Sequence, residues 1–150
     1  MWWRLMAHKR QTIREAVVTL VTGLSTTGSR VYSGRVYPSG LDNLPGLNVT
    51  TPKDDRSGNF PANRKAQVRE LTILIEARVK PADGVAVPQD QMDDIEAEVQ
   101  AALMADVTLG GLVLWLAPGS SSFSLSGKLD RPTGRADMEW ECEYLVDWTT

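Results

Sequence analysis

Apolar and polar residues alternate over the last stretch of the chain. Ala136, Met138, Trp140, Cys142, Tyr144, Val146 and Trp148 fall on one side, and Asp137, Glu139, Glu141, Glu143 and Asp147 on the other, with Leu145 the single exception. A period of two over this length predicts a strand buried on one face. Val68 to Lys80 repeats the pattern: Leu71, Ile73, Ile75, Ala77 and Val79 on one side, Glu70, Thr72, Glu76 and Arg78 on the other, interrupted by Leu74. The period changes twice. Ile13, Val17, Leu20, Val21 and Leu24 recur at helical spacing and predict a helix from about Lys9 to Leu24, ended by Gly23 and Gly28. Met92, Ile95, Val99, Ala102 and Leu103 predict a second, from about Gln91 to Ala105, with Asp90 as N-cap and acids in the first turns, where the helix dipole favours them.

Shorter segments fill the remainder. Arg30 to Tyr37 is rich in β-branched and aromatic residues and reads as a strand stopped by Pro38. Turn residues from Ser39 to Pro45 lead to a short strand near Leu47–Thr50. Thr51 to Arg64 has Phe60 as its one large apolar residue and reads as a long exposed loop or a mobile hairpin tip, a length that usually signals function or disorder. Pro81 to Gly84 is a turn, as is Leu109-Gly110-Gly111-Leu112. Val113–Leu116 and Phe123–Leu129 read as two strands separated by a Pro118–Ser122 turn, and Arg131 to Gly134 turns the chain into the last strand. The fold expected is α+β: a mostly antiparallel sheet with two helices packed on one face, in the order α-β-β-β-α-β-β-β. Residues 1–8 form an N-terminal extension and residues 9–150 a single domain.

Bulk properties narrow the class. At 150 residues, 42% hydrophobic and 23% charged, the chain suits one globular domain. No apolar run approaches the ~20 residues that cross a bilayer. The start, Met1-Trp2-Trp3-Arg4-Leu5-Met6, followed by His8-Lys9-Arg10, is not signal-peptide-like, so assembly in the cytoplasm is expected. The lone Cys142 agrees with that, and Asn48-Val49-Thr50 is then a chance sequon. A net charge of −3 gives no global polycation signature for nucleic acid. The charge is unevenly placed. Residues 1–37 carry a local balance of +5, residues 90–106 one of −6 with no Lys or Arg, and residues 130–150 one of −4. These stretches are solvated faces, or complementary patches that meet between subunits, Arg10 and Arg14 against Asp93, Asp94, Glu96 and Glu98.

Chemistry is sparse. The single histidine, His8, has no orienting partner in the sequence, and Cys142 on an apolar strand face reads as a packed, inert thiol. Paired carboxylates at Asp54-Asp55 and Asp93-Asp94 match no metal-binding spacing. Gly119 to Lys128 lacks the Gly-Lys-Ser/Thr of a phosphate loop, because Leu129 follows Lys128. Trp140 and Trp148 fall on the apolar strand face, which favours packing over base stacking. No enzyme, metal or cofactor is expected.

Four pieces in order carry a resemblance: the first helix running into Arg30-Val-Tyr-Ser-Gly-Arg-Val-Tyr-Pro38; Leu44-Pro-Gly-Leu-Asn-Val49 ahead of the polar loop; Arg69 to Val79 followed by the acidic helix and Thr108-Leu-Gly-Gly111; and Asp130-Arg-Pro-Thr-Gly134 ahead of the last strand. The chain resembles the tail terminator proteins of phages with long, non-contractile tails, the lambda-like family, from about Gln11 onward. The Met1–Leu5 extension departs from that pattern. The resemblance implies a non-enzymatic virion subunit in a six-membered homo-oligomeric ring at the head-proximal end of the tail. Such a ring stops polymerisation of the tail tube protein, meets a head-completion or connector protein, and lets DNA pass without specific binding; no membrane is involved. Another neck or connector protein, a minor tail protein, or a cellular α+β adaptor domain are the alternatives. On the terminator reading Lys53, Asp54, Asp55, Arg56 and Arg64 are the tube-contact loop. The acidic face Asp137, Glu139, Glu141, Glu143 and Asp147 either lines the lumen or is neutralised across the sheet by Arg69, Arg78 and Lys80.

Overall fold

The computed structural model describes residues 8–34, 45–57, 66–79, 88–128 and 131–147. In chain order these form helix α1 (Lys9–Val21), strands β1 (Val31–Ser33), β2 (Gly46–Arg56) and β3 (Ala66–Val79), helix α2 (Pro88–Met104), and strands β4 (Trp115–Lys128) and β5 (Arg131–Asp147). The strands make one mixed sheet in the order β1-β2-β3-β5-β4. Only β1 and β2 run parallel; every other neighbouring pair is antiparallel. The expected α+β class with both helices against one face is what forms.

β3 and β5 are the centre. Their register runs unbroken from Ala66↔Asp147 to Val79↔Gly134. Because paired residues share a face, this register puts Leu71, Ile73, Ile75 and Ala77 beside Cys142, Trp140, Met138 and Ala136, all buried. Leu47 and Val49 of β2 and Leu116 of β4 extend the apolar face sideways. The helices close it with Ile13, Val17 and Val21 from α1 and Met92, Ile95, Val99 and Leu103 from α2. His8 caps α1, its Nδ1 accepting from the Arg10 amide at 3.0 Å. After α2 the chain turns through Leu109, Gly110 and Gly111, all at positive φ; Leu109 tolerates this because its side chain is buried in the core.

Four expectations need correction. Arg131–Gly134 is not a turn: β5 already begins at Arg131, paired with Lys128 of β4. The two strands placed at Val113–Leu116 and Phe123–Leu129 are one strand, so the sheet has five strands and the order is α-β-β-β-α-β-β. Pro118-Gly119 sits at a register shift between Pro118 and Ser121 instead of a turn. An edge strand has no ladder on one side, so proline costs it little. Next, Thr51–Arg56 is not loop: β2 continues to Arg56, paired with Arg69, after an irregularity between Thr50 and Lys53. Polar composition hid this because β2 is near an edge and half of it needs no apolar face. Last, α2 starts at Pro88, which places Asp90 in its first turn and not at its cap. The N-terminal residues 1–7 with Trp2 and Trp3, most of the turns expected at Ser39–Pro45 and Pro81–Gly84, Arg64, Lys80 and Trp148 lie outside the described residues.

Gly134 shows how tightly α2 lies on the sheet. A Cβ there would stand 2.7 Å from Val79 Cγ2 and 2.8 Å from Met92 Cε. Gly134→Ala should therefore lower unfolding free energy by about 1–3 kcal/mol, read as a shift of the urea midpoint with an unchanged slope.

Candidate functional site

Polar side chains gather at the end of the sheet where β2 finishes, on both of its faces. On the helix face Asp54 follows Leu47 and Val49 of β2 into the apolar layer, and its side chain is only 5% exposed. A carboxylate there needs partners. It has three: Arg69 Nε at 2.8 Å to Oδ1, Arg10 Nη1 at 3.2 Å to Oδ2, and the Tyr144 hydroxyl, which donates to Oδ2 at 2.5 Å. Arg69 also bonds the Asp54 carbonyl oxygen at 3.0 Å. The cluster joins α1, β2, β3 and β5. Burial, then the bond to the Asp54 carboxylate, pushes the Tyr144 hydroxyl well above its ordinary value. The bond to Asp54 likewise raises Arg69. Burial foremost, with the charges of Asp54 and Glu143, pushes the Cys142 thiol up to about 12, so it stays a thiol and unreactive.

On the opposite face the pattern repeats with Glu143, which is 3% exposed. Ser57 donates its hydroxyl to Oε2 at 2.5 Å, and the Trp115 indole N–H donates to Oε1 at 2.6 Å. Tyr144 and Glu143 are consecutive in β5 and so point to opposite faces; one holds Asp54 and the other Ser57, both at the end of β2.

The remaining acids of β5 separate into two groups. Asp137 takes a forked bond from Arg135, at 3.0 and 3.2 Å, and Arg135 also reaches Glu76, which bonds Arg78. Glu139 and Glu141 are exposed, with Glu70 of β3 near them on the same face; Glu139 accepts from Ser120 at 3.1 Å. Among the described residues no basic side chain pairs with Glu70, Glu139 or Glu141. Asp147 is exposed at the strand's end. The five-residue acidic face expected from alternation is therefore not uniform: Glu143 is buried and bonded, Asp137 is paired, and Arg69, expected to neutralise the stripe, lies on the other face with Asp54.

Other expected site residues also have partners within the subunit. Asp54 is structural and not part of a loop. Lys53 and Asp55 form a surface pair at 3.3 Å, and Arg56 is exposed. Arg14 bonds Ser33 and Thr51, and Glu98 accepts from the Thr26 amide and hydroxyl, fixing the turn after α1. Asp93 and Asp94 are exposed and Glu96 half-buried on α2. Sequence reasoning missed the Asp54 and Glu143 clusters. One signal was present: Tyr144 on an apolar strand face carries a hydroxyl that needs an acceptor when buried. Among the described residues no group of three or more His, Cys, Asp or Glu is arranged to hold a metal ion, and no helix is long and apolar enough to cross a membrane.

Asp54→Ala should cost about 2–3 kcal/mol, less than for a fully buried pair because Arg10 and Arg69 keep solvent contact. Tyr144→Phe should cost about 1–2 kcal/mol for the lost bond; chemical denaturation measures both. Cys142 should be silent to a thiol reagent until the protein is unfolded. Its raised folded value means that its contribution to stability is complete below the ordinary value of 9.0 and is lost as pH rises toward about 12. An alkaline series of unfolding midpoints should show this loss, smaller in Cys142→Ala.

No protein-family model matches the chain, and no curated protein does. Among solved structures the chain is similar to one from the virion of a native gene transfer agent particle. The match has 17% sequence identity and a TM-score of 0.41 and covers 93% of this chain and 92% of that one.

Proposed function

We propose that this chain is a structural subunit of a phage virion, a tail terminator whose ring closes the head-proximal end of the tail tube and receives the head-completion protein. The observation that carries the reading is the division of the sheet into two faces. One is buried under both helices. The other presents Glu70, Glu139 and Glu141, without basic partners among the described residues, to solvent. A channel that passes DNA without holding it needs such a wall, because basic side chains would bind phosphate and release counterions. The order of elements and the motifs that resemble tail terminators support the same reading.

On this reading the surfaces involved are narrower than the sequence alone suggests. Of the expected acidic face the proposed lumen keeps Glu139 and Glu141, joined by Glu70 of β3, since Glu143 and Asp137 have partners of their own and Asp147 lies at the strand's end. The tube contact falls on exposed Lys53, Asp55 and Arg56 at the end of the β2–β3 hairpin. The subunit interface keeps Asp93, Asp94 and Glu96 but not the carboxylate of Glu98, and Arg10 and Arg14 already serve their own subunit.

Glu139→Lys with Glu141→Lys should fold normally, within about 0.5 kcal/mol of the parent. Rings should still cap tubes, while DNA ejection is impaired. Normal joining and ejection would remove the lumen assignment. Tails assembled without this chain should be overlong and headless in negative stain. A chain that stays monomeric and leaves tail tubes unchanged would instead point to a cellular adaptor.

A further inference from the structure

The two lateral edges of the sheet differ in chemistry. Among the described residues β1 covers β2 at one edge from Leu47 to Val49, and the part of β2 beyond carries Pro52, Lys53, Asp55 and Arg56. Proline, charge and a local irregularity are how natural sheets keep an edge from pairing. The other edge, β4, has such a feature at Pro118, where its register with β5 shifts, but none from Ser121 to Gly127. Among the described residues no strand pairs with its outer side, and from Trp115 to Gly127 it contains no charged residue. Ser121 to Lys128 runs in regular register with β5, so its outward N–H and C=O groups form an even row. Ser120 to Ser124 are exposed, Phe123 by 38%.

A pocket of about 120 Å³ opens beside this row on the helix side, between β4 and the first half of α2. Its walls are Met92, Phe123 and Ala136, and its polar lining includes Asp93, Glu96 and Ser121. Asp93 and Glu96 lie three residues apart on one helix face. Neither pairs with a basic side chain among the described residues.

We propose that the β4 edge binds an extended segment of a partner protein as an added strand, with a Lys or Arg of that segment seated in the Asp93–Glu96 pocket. A strand added about 4.8 Å outside β4 sends alternate side chains to the helix side, at the mouth of the pocket. The long stem of a basic side chain packs on Met92 and the Phe123 ring while its charge meets both carboxylates. Backbone bonding supplies affinity and the pocket supplies the preference for a basic residue. The site takes up Asp93 and Glu96, which the ring reading gives to the subunit interface, so the two compete for this pocket; it uses neither the acidic open face nor the hairpin end, and its failure leaves the lumen assignment untouched.

A labelled synthetic peptide alternating lysine and valine tests this on the full chain by fluorescence anisotropy. Saturable binding is expected. N-methylation of alternate peptide nitrogens should abolish it in one register and spare it in the other, which only strand pairing predicts. Glu96→Lys should weaken binding by about tenfold or more, and a glutamate-for-lysine peptide should bind the parent poorly. Absence of saturable binding overturns the proposal. So does binding indifferent to N-methylation, or binding reduced by Glu139→Lys with Glu141→Lys and not by Glu96→Lys, which marks simple charge attraction to the open face. Sedimentation of the chain alone covers the remaining occupant: self-association removed by Glu96→Lys would assign the edge to a second copy instead.

Discussion

The β3–β5 ladder is the constraint on which the other parts depend. Fourteen consecutive pairs hold two long strands in one register. A slip of one residue would turn Leu71, Ile73, Ile75, Met138 and Trp140 into solvent and bring Glu70, Glu139 and Glu141 under the helices, so the register is strongly specified by burial alone. Once it is set, the helices have a single apolar surface to cover. β2 and β4 then flank this pair, and Gly134 leaves room for Met92 to rest on the sheet.

Two buried carboxylates sharpen that plan at one end. Asp54 and Glu143 sit on opposite faces, yet each connects the end of β2 with β5 across the intervening β3. Apolar groups of the same volume could give equal or greater stability at such positions. What the carboxylates add is direction: a tyrosine hydroxyl, an indole N–H and two guanidinium groups must arrive together before the charges are satisfied. This holds the outgoing strand of the β2–β3 hairpin flat against the sheet. It also brings α1 to that end through Arg10, with Lys9 bonding the Leu145 carbonyl oxygen beside it.

The surfaces left over are distinct in kind. The open face offers fixed negative charge, which suits repulsion of a polyanion. The β4 edge offers unpaired backbone with an acidic pocket beside it, which suits an extended basic chain.

Local pattern alone determined a large part of this protein. The periods of two and 3.6 located both helices and the two central strands, chose their buried faces, and identified Cys142 as a core thiol. They did so because burial acts on every second or every third to fourth side chain and leaves a mark in the sequence. Tertiary structure decided what depends on neighbours. Strand length at the edges was illegible, since β4 through Pro118 and β2 through Lys53 to Arg56 need backbone partners on one side only and carry no apolar signature. The fate of individual charges was equally hidden: Glu139, Glu141 and Glu143 look alike along the strand, and only the arrival of Ser57 and Trp115 makes the third a buried acceptor. Arg10, Arg14 and Arg69 are likewise a generic basic surface until Asp54, Ser33 and Thr51 come within reach. Charge pairing is set by distance in space, and the sequence records distance only along the chain.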